Sequence, residues 1–233
     1  MQRCLAELFC VLRYCNLECA EVDSLIQWGL TTGDASALRH CMGMLLSLSE
    51  EAPQRVVVLL QPCLKDTNLL GSIASDNMAA ICFIRVCYAL YLVTKDSVYL
   101  RHICAYTNYE ADSTMLLSLE LLSQLPYDVL GSLNKDGNPG SGELIQVIAE
   151  KANARCAEFH ENNDTLGIIA ICRIVINLGK VLISTFGSRD NIKGSPVLDA
   201  TKVALDGLYN TLQMHGNSVS IYVQTSVGDG VRI

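Results

Sequence analysis

The chain has 233 residues, of which 50% are hydrophobic, 18% charged and 6% aromatic. This composition excludes intrinsic disorder, which needs fewer apolar residues and more charge, and it supplies enough apolar surface for a core without disulfides or metals. The 17 basic and 24 acidic side chains give a formal net charge of -7, which repels phosphate backbones and argues against nucleic acid as a main partner.

Apolar residues recur at steps of three and four along almost the whole chain, which is the period of an α-helix. We therefore expect an all-α protein. Helices are predicted over residues 5–19, 22–30, 34–48, 54–65, 76–94, 97–106, 115–125, 127–133, 143–161, 166–185 and 196–214.

The starts of these helices are predicted from polar side chains that accept hydrogen bonds from the first turn. The residues expected to cap or open the helices that follow them are Asp34, Asp76, Ser97, Ser113, and Asp164 or Asn163.

Prolines and turn formers predict where the helices are interrupted. Pro53 suits the start of the helix predicted over residues 54–65, and Pro62 must bend or shorten that helix. Residues 56–60 are apolar enough for a strand, but their helical neighbours favour a helix. A break between helices is expected at residues 68–71. Pro126 is expected to end the helix predicted over residues 115–125.

Two loops and a tail complete the predicted organisation. Loops are expected near residues 134–142 and 187–195, where turn formers cluster. Residues 1–216 are predicted to form a single helical-repeat domain. Alternating residues and a Gly-Asp-Gly turn over 217–233 predict an extended, irregular or strand-like C-terminal tail.

Two segments raise the question of a membrane span. Residues 78–93 contain Arg85, and residues 166–183 contain Arg173, Asn177 and Lys180. A spanning helix needs about 20 mostly apolar residues, so we interpret both segments as buried helices and predict no membrane span.

The 11 cysteines are predicted to be reduced. Glu7 interrupts the apolar part of what would be a secretory signal, so we expect a cytoplasmic or nuclear protein, or both. The cysteines lie among leucines, without a C-x-x-C pair, which is typical of small core residues rather than zinc ligands. We expect no metal and no cofactor.

No local pattern predicts a catalytic site. On a helix, His40 and Cys41 point about 100° apart and His102 and Cys104 about 200° apart, so neither pair is aimed for nucleophilic catalysis. The sequence therefore predicts that the protein is not an enzyme.

A polar stripe follows the helix predicted over residues 166–185. Arg173, Asn177, Lys180 and Ser184 are four, three and four residues apart, so they share one face of an otherwise apolar helix. The stripe either faces water or lines a groove that binds a peptide.

Further candidates for binding a partner lie nearer the N-terminus. Arg85 is the only charge between residues 78 and 93, and Tyr88 and Leu92 lie on its side of the predicted helix. A buried arginine needs a carboxylate or carbonyls, whereas an arginine that faces a groove needs a ligand.

Tyr106, Asn108 and Tyr109 form an amphipathic cluster at a predicted helix end, which is typical both of binding hot spots and of ordinary caps.

Residues 166–179, with small residues and an asparagine before leucine, resemble the last helix of an armadillo repeat, and residues 38–49 and 115–123 match it more loosely. The resemblance implies a right-handed α-solenoid of armadillo/HEAT-like stacked helices. It also implies a binding surface along the last helix of each repeat, including Asn177.

These observations predict a non-enzymatic scaffold or adaptor that binds another protein or a peptide through a helical groove. One alternative is a compact helical subunit of an obligate complex or homodimer. The other is a helical enzyme whose site has no sequence signature.

Overall fold

A computed structural model describes residues 20–109, 111–140, 143–162 and 164–186. Within these ranges the protein is all-helical, as predicted, and the β-pairing there is one isolated antiparallel bridge between Leu133 and Pro139. The described helices are α1 (Ala20–Thr31), α2 (Ala35–Glu51), α3 (Pro53–Leu60), a 3₁₀ helix (Cys63–Lys65), α4 (Thr67–Ser75), α5 (Asn77–Thr94), α6 (Ser97–Tyr106), α7 (Asp112–Ser123), α8 (Tyr127–Leu130), α9 (Glu143–Glu161) and α10 (Thr165–Phe186).

Most predicted helices are confirmed within a few residues. The segment 56–60 is helical rather than a strand, and α3 stops at Leu60 before Pro62, which starts the 3₁₀ turn. The helix predicted over 127–133 is shorter, since it ends at Leu130. The predictions for residues 5–19, 187–195, 196–214 and 217–233 lie outside the described residues.

The predicted break at residues 68–71 is wrong, because these residues lie inside α4. The carboxylate of Asp66 accepts hydrogen bonds from the backbone N–H groups of Asn68 and Leu69, at 2.9 and 3.2 Å. Leu69 and Ile73 then bury one side of the helix. The cap and the buried pair outweigh the low helix propensity of Asn68 and Gly71.

Aspartate is the usual cap in the described helices. Asp34, Asp76 and Asp164 cap as predicted, whereas α6 is capped by Asp96 rather than Ser97, and α7 begins at Asp112 with Ser113 already inside it. An aspartate side chain accepts from the first-turn backbone of α2, α4, α5, α6 and α10, at Asp34, Asp66, Asp76, Asp96 and Asp164 respectively.

The chain divides into two compact units, Met1–Ser118 and Leu119–Ile233. In the first, α5 packs mainly against α2 and α6, while α1 and α3 pack against α2. Its fully buried side chains include Ile26, Met42, Leu45, Phe83, Ile84 and Leu90.

In the second unit, α9 packs against α10, and α8 contacts α10. Its buried side chains include Leu144, Ile148, Phe159, Ile171, Ile174 and Leu178. The single domain predicted over residues 1–216 stays a prediction.

The start of α5 is held by Asp76. Its carboxylate caps the helix at the N–H of Ala79, at 3.0 Å, and accepts from the guanidinium of Arg39 on α2, with Nε 3.1 Å from Oδ2. The hydrogen bond from Arg39 is the main reason that the pKa of Asp76 lies below its ordinary value. This contact connects the two helices at the centre of the first unit.

We expect the stabilisation from Asp76 to weaken in acid. Because its pKa is lower in the folded state, the contribution is complete above the unfolded pKa of about 4 and is lost as the pH falls through the folded pKa. Asp76→Asn keeps a capping oxygen and removes the charge, whereas Asp76→Ala removes both, at a cost of about 1 kcal/mol for the cap.

The contribution of the Asp76 carboxylate is measured by urea unfolding of the two variants and the wild type between pH 7 and pH 3. The difference between wild type and Asp76→Asn should be constant above about pH 5 and shrink below it. A difference that does not change down to pH 3 would contradict the role of the Arg39 contact.

Candidate functional site

One side of α5 is left open. On a helix with about 100° per residue, the buried residues of α5 occupy the larger part of the circumference. Apart from Asn77 and Thr94 at the two ends of the helix, the partly or fully exposed residues share an arc of about 140°. We call this surface the open arc, and it consists of Met78, Ile81, Cys82, Arg85, Tyr88, Ala89, Leu92 and Val93.

The open arc is apolar except for its centre. Met78, Leu92 and Val93 have 54%, 46% and 50% of their surface exposed. Arg85 is exposed and lies near the middle of the arc and of the helix. A run of large exposed apolar side chains on one helix face is typical of an interaction surface rather than of scattered surface residues.

Arg85 forms no ion pair or hydrogen bond with any residue in the described ranges. The side chain is exposed, so the requirement of a buried arginine for a carboxylate or carbonyls does not apply to it. That Arg85 binds a ligand stays a prediction. None of the five N–H donors of its guanidinium is paired with a described residue.

The opposite side of α5 makes the core of the first unit. The ring of Phe83 meets His102 edge-on, with the centroids 5.7 Å apart, and contacts Tyr106 at 6.1 Å. Burial lowers the pKa of His102, which favours the neutral imidazole in this apolar setting. These contacts fix the rotation of α5 and thereby decide which of its side chains form the open arc.

The tyrosine cluster belongs mainly to this buried side. Tyr106 has 5% of its surface exposed, and its ring stacks on half-buried Tyr109, with centroids 4.8 Å apart. Asn108 is exposed beside them. Arg85 and Tyr106 therefore lie on different sides of α5, and the structure does not bring these two predicted binding residues together.

In the second unit, two residues of the polar stripe of α10 contact the C-terminal end of α7. Asn177 donates from Nδ2 to the buried hydroxyl of Ser123 at 3.1 Å, and a guanidinium nitrogen of Arg173 lies 3.8 Å from Glu120. Lys180 is exposed, and Ser184 donates to the Val181 carbonyl of its own helix. Part of the stripe thus orients α10 against α7, and Lys180 faces water.

Asn177 and Arg173, which are neighbours on the stripe, should contribute differently to the stability of the protein. Asn177→Ala leaves the Ser123 hydroxyl without its donor and should lower the free energy of unfolding by about 1 kcal/mol. Arg173→Ala removes a long, exposed ion pair and should change it by less than about 0.5 kcal/mol. Thermal unfolding followed by circular dichroism compares the two, and equal effects would contradict this assignment.

The described thiols have the properties of core residues. Cys41, Cys87, Cys104, Cys156 and Cys172 are buried, whereas Cys63 and Cys82 are half-buried and Cys82 lies on the open arc. Burial raises the pKa of Cys41 and of Cys172 to about 12, so both are protonated at neutral pH and lack the thiolate that nucleophilic attack or zinc binding requires. Within the described ranges, no three His, Cys, Asp or Glu side chains are grouped to hold a metal ion.

Among the described helices, α5 is long and apolar enough to span a membrane by length and composition, and 44% of its residues are buried inside the protein. The core helix of a folded domain can have the same length and composition, and α5 packs against α2 and α6 within the first unit.

Sequence reasoning identified Arg85 but missed most of the open arc. Because α5 is apolar on all sides, the pattern does not show which side is covered. The lone charge marked the centre of the exposed side, and Tyr88 and Leu92 were assigned to that side. Met78, Ile81, Cys82, Ala89 and Val93 had no signal to separate them from the core.

Comparison with protein-family models, with curated proteins and with solved structures finds no match to this chain.

Proposed function

We propose that this protein is a non-enzymatic interaction module that binds a partner protein through the open arc of α5. The observation that carries the proposal is the row of exposed apolar side chains on a helix whose other side packs against α2 and α6. Such a surface gains free energy when a partner removes it from water, and it needs little ordering to bind.

We also propose that the helices stack as a right-handed α-solenoid of the armadillo/HEAT type, acting as a scaffold or adaptor in the cytoplasm or nucleus. Short helices that pack on their neighbours in sequence, such as α1 on α2 and α5 on α6, support this. A permanent subunit of a complex would use the open arc in the same way, with a partner that never leaves.

The test compares two charge insertions at exposed apolar positions of the first unit. Leu92→Glu changes the open arc, and Val58→Glu changes α3, where Val58 has 69% of its surface exposed. Both variants should unfold like the wild type, since neither position is buried. Affinity purification with quantitative mass spectrometry then identifies proteins recovered with wild type and Val58→Glu but lost with Leu92→Glu.

A protein that meets this criterion is purified and mixed with each variant, and complex formation is measured by size-exclusion chromatography. Binding to wild type and Val58→Glu, with at least tenfold weaker binding to Leu92→Glu, is the expected result. A set of recovered proteins that Leu92→Glu leaves unchanged would contradict the proposal.

A further inference from the structure

We infer that the occupant of the open arc is an amphipathic α-helix of a different protein that places one carboxylate, flanked by apolar side chains, against Arg85. This inference rests on the proposed function and names the chemistry of the partner. It follows from three properties of the arc: its helical shape, the single charge at its centre, and the position of that charge along the helix.

The shape favours a helical partner. The open arc runs from Met78 to Val93 on α5, a length of about 24 Å at 1.5 Å per residue. An extended peptide would need hydrogen-bond partners for its backbone, and the backbone of α5 is already paired within the helix. A helical partner satisfies its own backbone and offers apolar side chains at the same three- and four-residue spacing.

The charge favours a carboxylate. A partner that covered Arg85 without an opposite charge would desolvate a guanidinium and leave it unpaired, which is costly. A glutamate or aspartate of the partner would accept two charge-assisted hydrogen bonds from the guanidinium, and these offset the cost of desolvating it. Phosphate sites use clusters of arginines, whereas the other residues of the arc are uncharged.

The position of Arg85 disfavours a second copy of this chain. Arg85 is the ninth of the 18 residues of Asn77–Thr94. A two-fold axis that pairs α5 with itself about its midpoint would bring Arg85 next to Arg85 of the second copy, in either direction of packing. Like charges at the centre of an interface are unfavourable. A lipid surface is disfavoured for a different reason, because Arg85 would enter the apolar layer of the membrane.

The experiment uses the full chain and a displayed library of 18-residue amphipathic helices. The apolar stripe varies among Leu, Ile, Met and Phe, and one central stripe position is fully randomised. Selection on the wild type should enrich Asp and Glu at that position, and selection on Arg85→Glu should enrich Lys and Arg. The selected peptides should lose binding to Leu92→Glu.

The best acidic peptide is then measured by fluorescence anisotropy. Replacing its central Glu by Gln should weaken binding to the wild type about tenfold, the value of one charged hydrogen bond, and should change binding to Arg85→Gln by less than about twofold. Salt should weaken the wild-type complex more than the Arg85→Gln complex.

Selected peptides that depend on Leu92 but show no acidic preference, or the same preference with Arg85→Glu, would overturn the inference and leave the proposed function intact. If no peptide depends on Leu92, the inference fails, and the proposed function fails with it only if the purification experiment shows no loss either. Light scattering and flotation with phosphatidylcholine–phosphatidylserine vesicles complete the test. A Leu92-dependent doubling of mass or Leu92-dependent vesicle binding would assign the arc to a second copy or to a membrane and overturn the inference.

Discussion

Gly167→Ala is expected to destabilise the second unit, although alanine is the better helix former. A Cβ atom at position 167 would lie 2.6, 2.7 and 2.8 Å from three ring atoms of Phe159. Phe159 has 3% of its surface exposed, so the ring is enclosed by the core. Relieving the overlap requires α10 to move away from α9, or the ring to leave its rotamer, and such overpacking costs about 1–3 kcal/mol.

Gly179→Ala is the matched control on the same helix. A Cβ atom at position 179 meets nothing within 4 Å, so the variant should gain about 0.5–1 kcal/mol from helix propensity alone. Urea unfolding of both variants should therefore show opposite signs. Stabilisation by Gly167→Ala would contradict the close approach of the helix to Phe159.

In the first unit, Phe83→Ala is expected to lower the free energy of unfolding far more than the control variant Met78→Ala. The side chain is 1% exposed and joins α5 to α6 through His102 and Tyr106. Removing a buried phenylalanine ring leaves a cavity and costs about 3–5 kcal/mol. Chemical unfolding measures the loss, and the near-ultraviolet circular dichroism of the adjacent tyrosines should change with it.

Met78→Ala serves as the control for Phe83→Ala, because it shortens an apolar side chain of the same helix that is 54% exposed. Its effect should stay within about 0.5 kcal/mol. Similar losses for the two variants would mean that the open arc is covered within the folded chain, which would also remove the basis for a binding surface there.

The helical architecture was predictable because its signals are local. Periodicity placed α9 at residues 143–161 as observed, and aspartates at the starts of α2, α5 and α10 marked their first turns. The error at residues 68–71 arose where propensity and capping disagree. Gly71 and Asn68 suggested a break, but the cap from Asp66 and the burial of Leu69 prevailed.

The candidate site was predictable only where a charge interrupts an apolar pattern. Arg85 met that condition, and the rest of the open arc did not, since burial depends on which helices pack against α5.

In the stripe of α10, the sequence pattern predicted the polar face but not the contact that it makes. Its spacing placed Asn177 on a polar face, but its hydrogen bond to Ser123, 54 residues away in sequence, depends on tertiary structure.

The aspartate caps alter the meaning of the net charge of -7. Five carboxylates, those of Asp34, Asp66, Asp76, Asp96 and Asp164, point at the positive ends of helices and accept backbone hydrogen bonds there. Part of the acidic excess is thus used in building the scaffold. The negative net charge therefore does not imply a basic partner, because these five carboxylates lie at helix starts and not on the open arc.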